Sequence, residues 1–237
     1  MQPKYPSPAR LLAAAALPAL LLLSFATGAH DVAEGDRAFI EQASGRQLIA
    51  YAYLGAKHMV TGYDHLLFLL GVIFFLYRMR QVVGYVTLFA VGHSVTLLYG
   101  VLTATRVNPY VVEAIIGFSV VYIALDNLGA FRRWFGFRPN AQAAVLLFGL
   151  VHGFGLATKV QELTPSQDGL VANMLAFNVG IELGQVAALS AILIAITFWR
   201  RAGGFGRQAL AANVALMTAG FVLVGYHLAG YAALSGG

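Results

Sequence analysis

The sequence predicts an all-α protein, a polytopic membrane helix bundle of six transmembrane helices after a cleavable signal peptide. Three observations carry this. Hydrophobic residues make up 59% of the 237 and charged residues 11%, with a mean hydropathy of +0.73. That leaves too little polar surface to cover a soluble domain of this size. Apolar runs recur along the chain near the length a bilayer demands, about 20 residues. The arginines between them gather in alternate loops, as expected of a chain that crosses a membrane repeatedly under the positive-inside bias.

Composition also excludes. The net charge of +5 does not indicate nucleic acid, because the Lys and Arg residues fall between apolar runs and do not form one basic, water-facing surface. Cysteine is absent, which removes disulfides, thiolate metal sites and Cys nucleophiles. A site for a soft metal must then be built from His, carboxylate, amide or Met.

Residues 1–29 open with Lys4 and Arg10, continue through an apolar run from Leu11 to Phe25, and end in Thr27, Gly28 and Ala29. This is the layout of a secretory signal peptide cut after Ala29, the alternative being an uncleaved first span. Cleavage would start the mature chain outside at His30, whose amine and imidazole either chelate a metal or fray without a role. Residues 30–57 form a periplasmic lead-in and interfacial segment. Asp31, Glu34, Asp36, Arg37, Glu41 and Arg46 make it polar, and LIAYAYLG follows as a short helix or strand with Tyr51 and Tyr53 at headgroup level.

Residues 58–237 are the six-helix transmembrane domain, with spans near 58–77, 82–103, 111–130, 142–158, 170–199 and 208–235. The loops carry Arg78 and Arg80, then Arg106, then Arg132, Arg133 and Arg138, then Lys159, then Arg200, Arg201 and Arg207. The first, third and fifth loops are therefore expected in the cytoplasm. Together with a signal peptide, this gives one topology, with both mature ends outside. Three plus three spans permit an inverted repeat, for which GYDH in the first span and VHG in the fourth offer slight support.

The stretch from Gly55 to Gly71 organises the rest. Its wholly apolar part, Leu66 to Tyr77, is only twelve residues, so the helix is expected to start near His58 to reach membrane length. Asp64 and His65 then lie below the surface, where an unpaired ionisable group costs about 2.5–3.5 kcal/mol. Helix rise sets His65, His93, His152 and His227 about 9–15 Å in from the outer ends of four spans. Asn178, Glu182 and Gln185 recur at helical spacing as one polar face, as do His58 and His65.

Singly, each of these residues has a structural explanation as an interhelical hydrogen bond or helix-end charge. Their shared depth points instead to a metal site, which draws imidazoles and carboxylates to one point. His65, His93 and His152 are the expected ligands. Asp64 is either a ligand or the carboxylate that orients one. His58 belongs to the site or to an access path, and His227 has least polar company. Ser94, Glu113, Asn127, Asn178, Glu182 and Gln185 are expected around the site or along a pathway, and Asp126 with Asn127 is either an interfacial cap or the inner part of that pathway.

The series HMVTGYDHLLFLLG, LFAVGHSVTL, VEAIIGFSVVYIALDN, LFGLVHGFGLA and FNVGIELGQ resembles the HupE/UreJ family of bacterial membrane proteins, in particular its second subfamily, from about Gly55 to Gln185. The resemblance implies a nickel or cobalt permease, associated with hydrogenase and urease accessory functions. It also implies that His58, Asp64, His65, His93, Glu113, His152, Asn178 and Glu182 are the motif residues. The His-rich mature N-terminus and HP motif of the nickel branch are absent.

The leading expectation is thus a carrier that binds a divalent transition metal, nickel or cobalt with zinc or copper as alternatives, in the periplasmic half of the bundle. No P-loop is present, so transport is passive, ion-coupled or driven by a partner. Two other classes stay open: an intramembrane metal-dependent hydrolase using a His/Asp site, and a metal-binding accessory membrane subunit. The expected partners are the lipid bilayer, the metal ion and a metalloenzyme-maturation or envelope protein.

Overall fold

A computed structural model describes residues 44–162, 168–201 and 204–235. The signal-peptide segment 1–29, His30 and the acidic residues up to Glu41 lie outside the described residues. Within them the chain forms eight helices and no strand: α1 Leu48–Thr61, α2 Tyr63–Ile73, α3 Met79–Thr103, α4 Pro109–Asn127, the short α5 Ala130–Phe135, α6 Ala141–Glu162, α7 Leu170–Arg201 and α8 Phe205–Ser235. Five of these, α3, α4, α6, α7 and α8, are long and apolar enough to cross a membrane. The fold is a helical membrane bundle.

The first crossing departs from expectation. It neither starts at His58 nor runs unbroken to Tyr77. Its helix begins at Leu48, breaks at Gly62 and resumes to Ile73. Alone, α2 is 11 residues, about 16 Å, half of a hydrocarbon core of about 30 Å. With α1 in front, the pair runs the length of α7. At one end the Gln47 N–H donates to Asn173 Oδ1 at 2.7 Å. At the other, the Arg200 guanidinium donates to the Leu76 carbonyl at 2.7 Å and to the Phe74 carbonyl, and stacks 4.1 Å from the Tyr77 ring centre. Arg200 thereby satisfies carbonyls exposed where α2 ends. The LIAYAYLG stretch is helix packed on α7, with Tyr51 and Leu54 buried against the core and Tyr53 exposed.

The break follows from Gly62. Its N–H bonds the His58 carbonyl at 2.9 Å to close α1, and its carbonyl accepts from Leu66 N–H at 3.1 Å to open α2. A Cβ there would sit 2.9 Å from His65 Nδ1 and 3.0 Å from the His58 carbonyl oxygen. A side chain there would crowd both histidines. Elsewhere, Asn108 caps α4 by accepting from Val111 N–H at 3.2 Å, with Pro109 in the first turn, the arrangement these residue types favour.

Three helix pairs dominate the packing: α1 with α7, α3 with α6, and α4 with α8. The first two are related contact by contact. Gly55 lies against the Phe177 carbonyl as Gly149 lies against that of Phe89, and Gly180 lies against Ala52 as Gly92 lies against Leu146. The third pair is related to itself: Gly117 meets the Val224 N–H at 2.9 Å and Gly220 meets that of Val121 at 2.8 Å. The bundle is therefore an inverted repeat, with α1–α2, α3 and α4 answering to α6, α7 and α8. Under this pseudo-twofold His58, three residues after Gly55, corresponds to His152, three after Gly149.

Candidate metal centre

The break in the first crossing puts His58 on the last turn of α1 and Asp64 and His65 on the first turn of α2. His93 comes from the middle of α3 and His152 from the middle of α6. The His65 ring is the hub, 4.7 Å from His152, 5.2 Å from His58 and 6.1 Å from His93 between ring centres. One ligand atom each from His58, His65 and His93 lie mutually within 4.8 Å, and so do those of Asp64, His65 and His152. A tetrahedral ion with bonds of 2.0–2.1 Å would hold such atoms about 3.4 Å apart. Rotamer adjustment of about 1 Å closes either set.

Hydrogen bonding prepares these rings as ligands. His65 Nδ1 lies 2.9 Å from Asp64 Oδ1, and His152 Nδ1 lies 2.7 Å from the Phe148 carbonyl. A carbonyl or carboxylate oxygen accepts, so Nδ1 carries the proton in both rings and Nε2 presents a lone pair. His65 Nε2, His152 Nε2 and both His93 ring nitrogens are buried without a hydrogen-bond partner. Each such orphan costs about 1–3 kcal/mol. Several at one point, all basic nitrogens, fit a shared cation. Asp64, 2% exposed, would orient His65 if the three-imidazole set held an ion and would itself be a ligand in the other set.

The centre sits deeper than helix rise from His58 implied. Residues 48–57 add about 15 Å of helix ahead of His58, and His93 and His152 each lie about 15 Å from the ends of α3 and α6. It occupies the middle of the bundle. Toward the arginine-bearing end it is floored by aromatic rings. Phe68 and Phe89, both fully buried, are 5.7 Å apart, with Phe148 5.6 Å from Phe68. Phe89 also contacts the His152 ring at 5.0 Å.

The remaining expected residues divide. Ser94 is half-buried beside His93. Glu113 is buried and pairs with Lys159, Nζ to Oε1 2.5 Å. On α7, Gln185 is fully buried and the amide atoms of both Asn178 and Gln185 are buried without partners, whereas Glu182 is exposed. The three do not form one inward face, because Glu182 turns to the outside of the bundle. Asn127 is tied down, donating to the Gly71 carbonyl at 2.8 Å and to Asn213 Oδ1 at 2.9 Å. Asp126 is 3.7 Å from the Arg138 guanidinium. Together they brace the arginine-bearing end. His227 is buried beside Tyr226, 5.2 Å between rings, and joins neither ligand set. Sequence reasoning missed the Phe68, Phe89 and Phe148 floor, which reads in the sequence as ordinary apolar span, and took Lys159 only as a topology marker.

The fold and centre define a polytopic helical membrane protein with a buried imidazole and carboxylate cluster at its core. The chain matches the family model described as HupE / UreJ protein over residues 34–235 and belongs to that family. Comparison with curated proteins and with solved structures returns no match.

Asp64→Asn should leave the bundle folded yet weaken cation affinity about 10–100-fold, the usual loss when the partner of a ligating His is altered. Equilibrium dialysis with Ni²⁺ or Co²⁺ on detergent-purified protein measures this. His227→Ala is expected to bind as the unaltered chain does.

Proposed function

We propose that this protein carries a divalent transition-metal cation, nickel or cobalt, across a bacterial inner membrane by way of the His58, Asp64, His65, His93 and His152 centre. One observation carries the reading: orphaned basic nitrogens from separate helices converge in the middle of an otherwise apolar bundle. Membership of a family associated with nickel and cobalt transport agrees with it, as does a broken helix within an inverted repeat, a feature of many secondary transporters. The imidazoles replace the water ligands of the cation, and Asp64 offsets part of its charge and fixes the His65 tautomer.

The test joins two measurements on one preparation: metal stoichiometry of the purified chain, and Ni²⁺ or Co²⁺ uptake into proteoliposomes. Binding with uptake supports the carrier. The aromatic floor under the centre favours a second reading, a closed site in an intramembrane metal-dependent hydrolase, and binding without uptake in any lipid or gradient would turn the conclusion toward it.

The proposed orientation puts the loops with Arg78 and Arg80, with Arg132 and Arg133, and with Arg200 and Arg201 in the cytoplasm. It puts both ends of the mature chain, after a signal peptide, in the periplasm. Reporters fused after Arg80, Arg133 and Arg201 should read as cytoplasmic, and those near Val107, Ser166 and the C-terminus as periplasmic. A cytoplasmic C-terminus would invert the scheme.

A further inference from the structure

The pair Glu113 and Lys159 lies apart from the histidine centre and on the way to it. Glu113 is four residues into α4 and Lys159 three from the end of α6, both at the end of the bundle opposite the cluster of arginines. Helix rise puts Glu113 about 6 Å in from the start of α4, compared with about 15 Å for His93 and His152 from the same end of their own helices. Lys159 follows His152 by seven residues on α6, so the two share a face two turns apart.

Its burial is uneven in a telling way. The Glu113 side chain is 7% exposed and the Lys159 side chain 21%. A buried carboxylate is costly to desolvate, so such a pair is weak as a stabilising device. As a cation exchanger it is well made. The carboxylate is fixed and buried, and its counter-ion is an ammonium on a flexible, partly exposed stem near the end of α6. A divalent ion competes with a monovalent one for the same oxygen at twice the charge.

Resting on the carrier reading above, we infer that Glu113 is an outer station for the transported cation, kept occupied by the tethered Lys159 ammonium until a divalent metal displaces it. Lys159 swings aside as the ion lands on the Glu113 carboxylate and falls back when the ion passes to His152 and His65. The resting protein thus never holds an unpaired carboxylate at this depth.

The chain has three lysines, Lys4, Lys57 and Lys159, so peptide mapping reads the reactivity of Lys159 toward an amine reagent by itself. In the unaltered full-length chain in detergent, Ni²⁺ or Co²⁺ should raise labelling of Lys159 several-fold over the metal-free protein. Labelling that stays constant while calorimetry shows the metal bound at the histidine centre would overturn the station and leave the carrier reading intact. A chain that binds no metal would count against the carrier reading. The station is then judged on Lys159→Met, which should gain one weak Co²⁺ site per chain that Lys159→Met combined with Glu113→Gln loses again. The double variant removes the Glu113 carboxylate charge together with the Lys159 ammonium and controls for folding. If Lys159→Met is folded and gains no site, the ion pair is only a brace between α4 and α6.

Discussion

Replacing His65 with alanine should remove metal binding from a chain that still folds, a loss well beyond about 100-fold in affinity. His65 belongs to both ligand sets, so its removal leaves each with two atoms. It also strips Asp64 Oδ1 of the ring nitrogen it holds at 2.9 Å. Altering an outer partner of a ligand typically costs about 10–100-fold, and deletion of the shared ligand must exceed that. His58→Ala and His152→Ala each remove a member of only one set and should fall between these limits. Titration with Ni²⁺ or Co²⁺, alongside circular dichroism to verify the helices, ranks the three. Full affinity in folded His65→Ala would show that the imidazole cluster is a packing feature.

Gly180→Leu should prevent the bundle from assembling. A side chain at Gly180 runs into the Ala52 backbone, and one at Gly55 runs into that of Phe177, so α1 and α7 touch main chain to main chain. In a bilayer, where helices have little hydrophobic reason to associate, such contact between small residues is a principal source of attraction. Overpacking of a core commonly costs about 1–3 kcal/mol. Here the obstruction is backbone, which cannot rotate away, and separation of α1 would also withdraw His58 from the centre. Gly84→Leu is the matched control, because nothing lies within 4 Å of a Cβ at that position. The comparison is the yield of monodisperse protein and its resistance to heat. Equal yields for both variants would show that the α1 and α7 contact is dispensable.

The sequence made the helix bundle and most of the centre legible because intramembrane His and Asp residues are expensive enough to need a common reason. On that ground Asp64, His65, His93 and His152 were expected at one point, and the structure brings their side chains together around His65, deeper than helix rise implied. The start of the first crossing was not, because Leu48 to Lys57 contains Tyr51, Tyr53 and Lys57, and hydropathy alone reads such a stretch as interface. What buries it is the glycine face of α7, a property of the partner helix. Glu182 was misplaced for a related reason. Spacing shows that Asn178, Glu182 and Gln185 are neighbours on a helix, but not where the boundary between core and surface cuts across them. The repeat had a usable signal that slight similarity between GYDH and VHG did not exploit. Phe89-Ala90-Val91-Gly92 and Phe177-Asn178-Val179-Gly180 share F-x-V-G, and Gly55 and His58 share their spacing with Gly149 and His152.

A unit of three crossings ends on the side of the membrane opposite its start, so a second copy joined in tandem must enter from that opposite side. Oddness alone turns it over. The loop after α2 and the loop after α6 hold equivalent places in the two units yet face opposite compartments, and their charges differ accordingly: Arg78 and Arg80 in one, no Arg or Lys between Leu163 and Gly169 in the other. Orientation by positive charge obliges such loops to diverge, whereas backbone contact obliges Gly55 and Gly149 to remain alike. The repeat is therefore legible at the helix crossings and not at the turns.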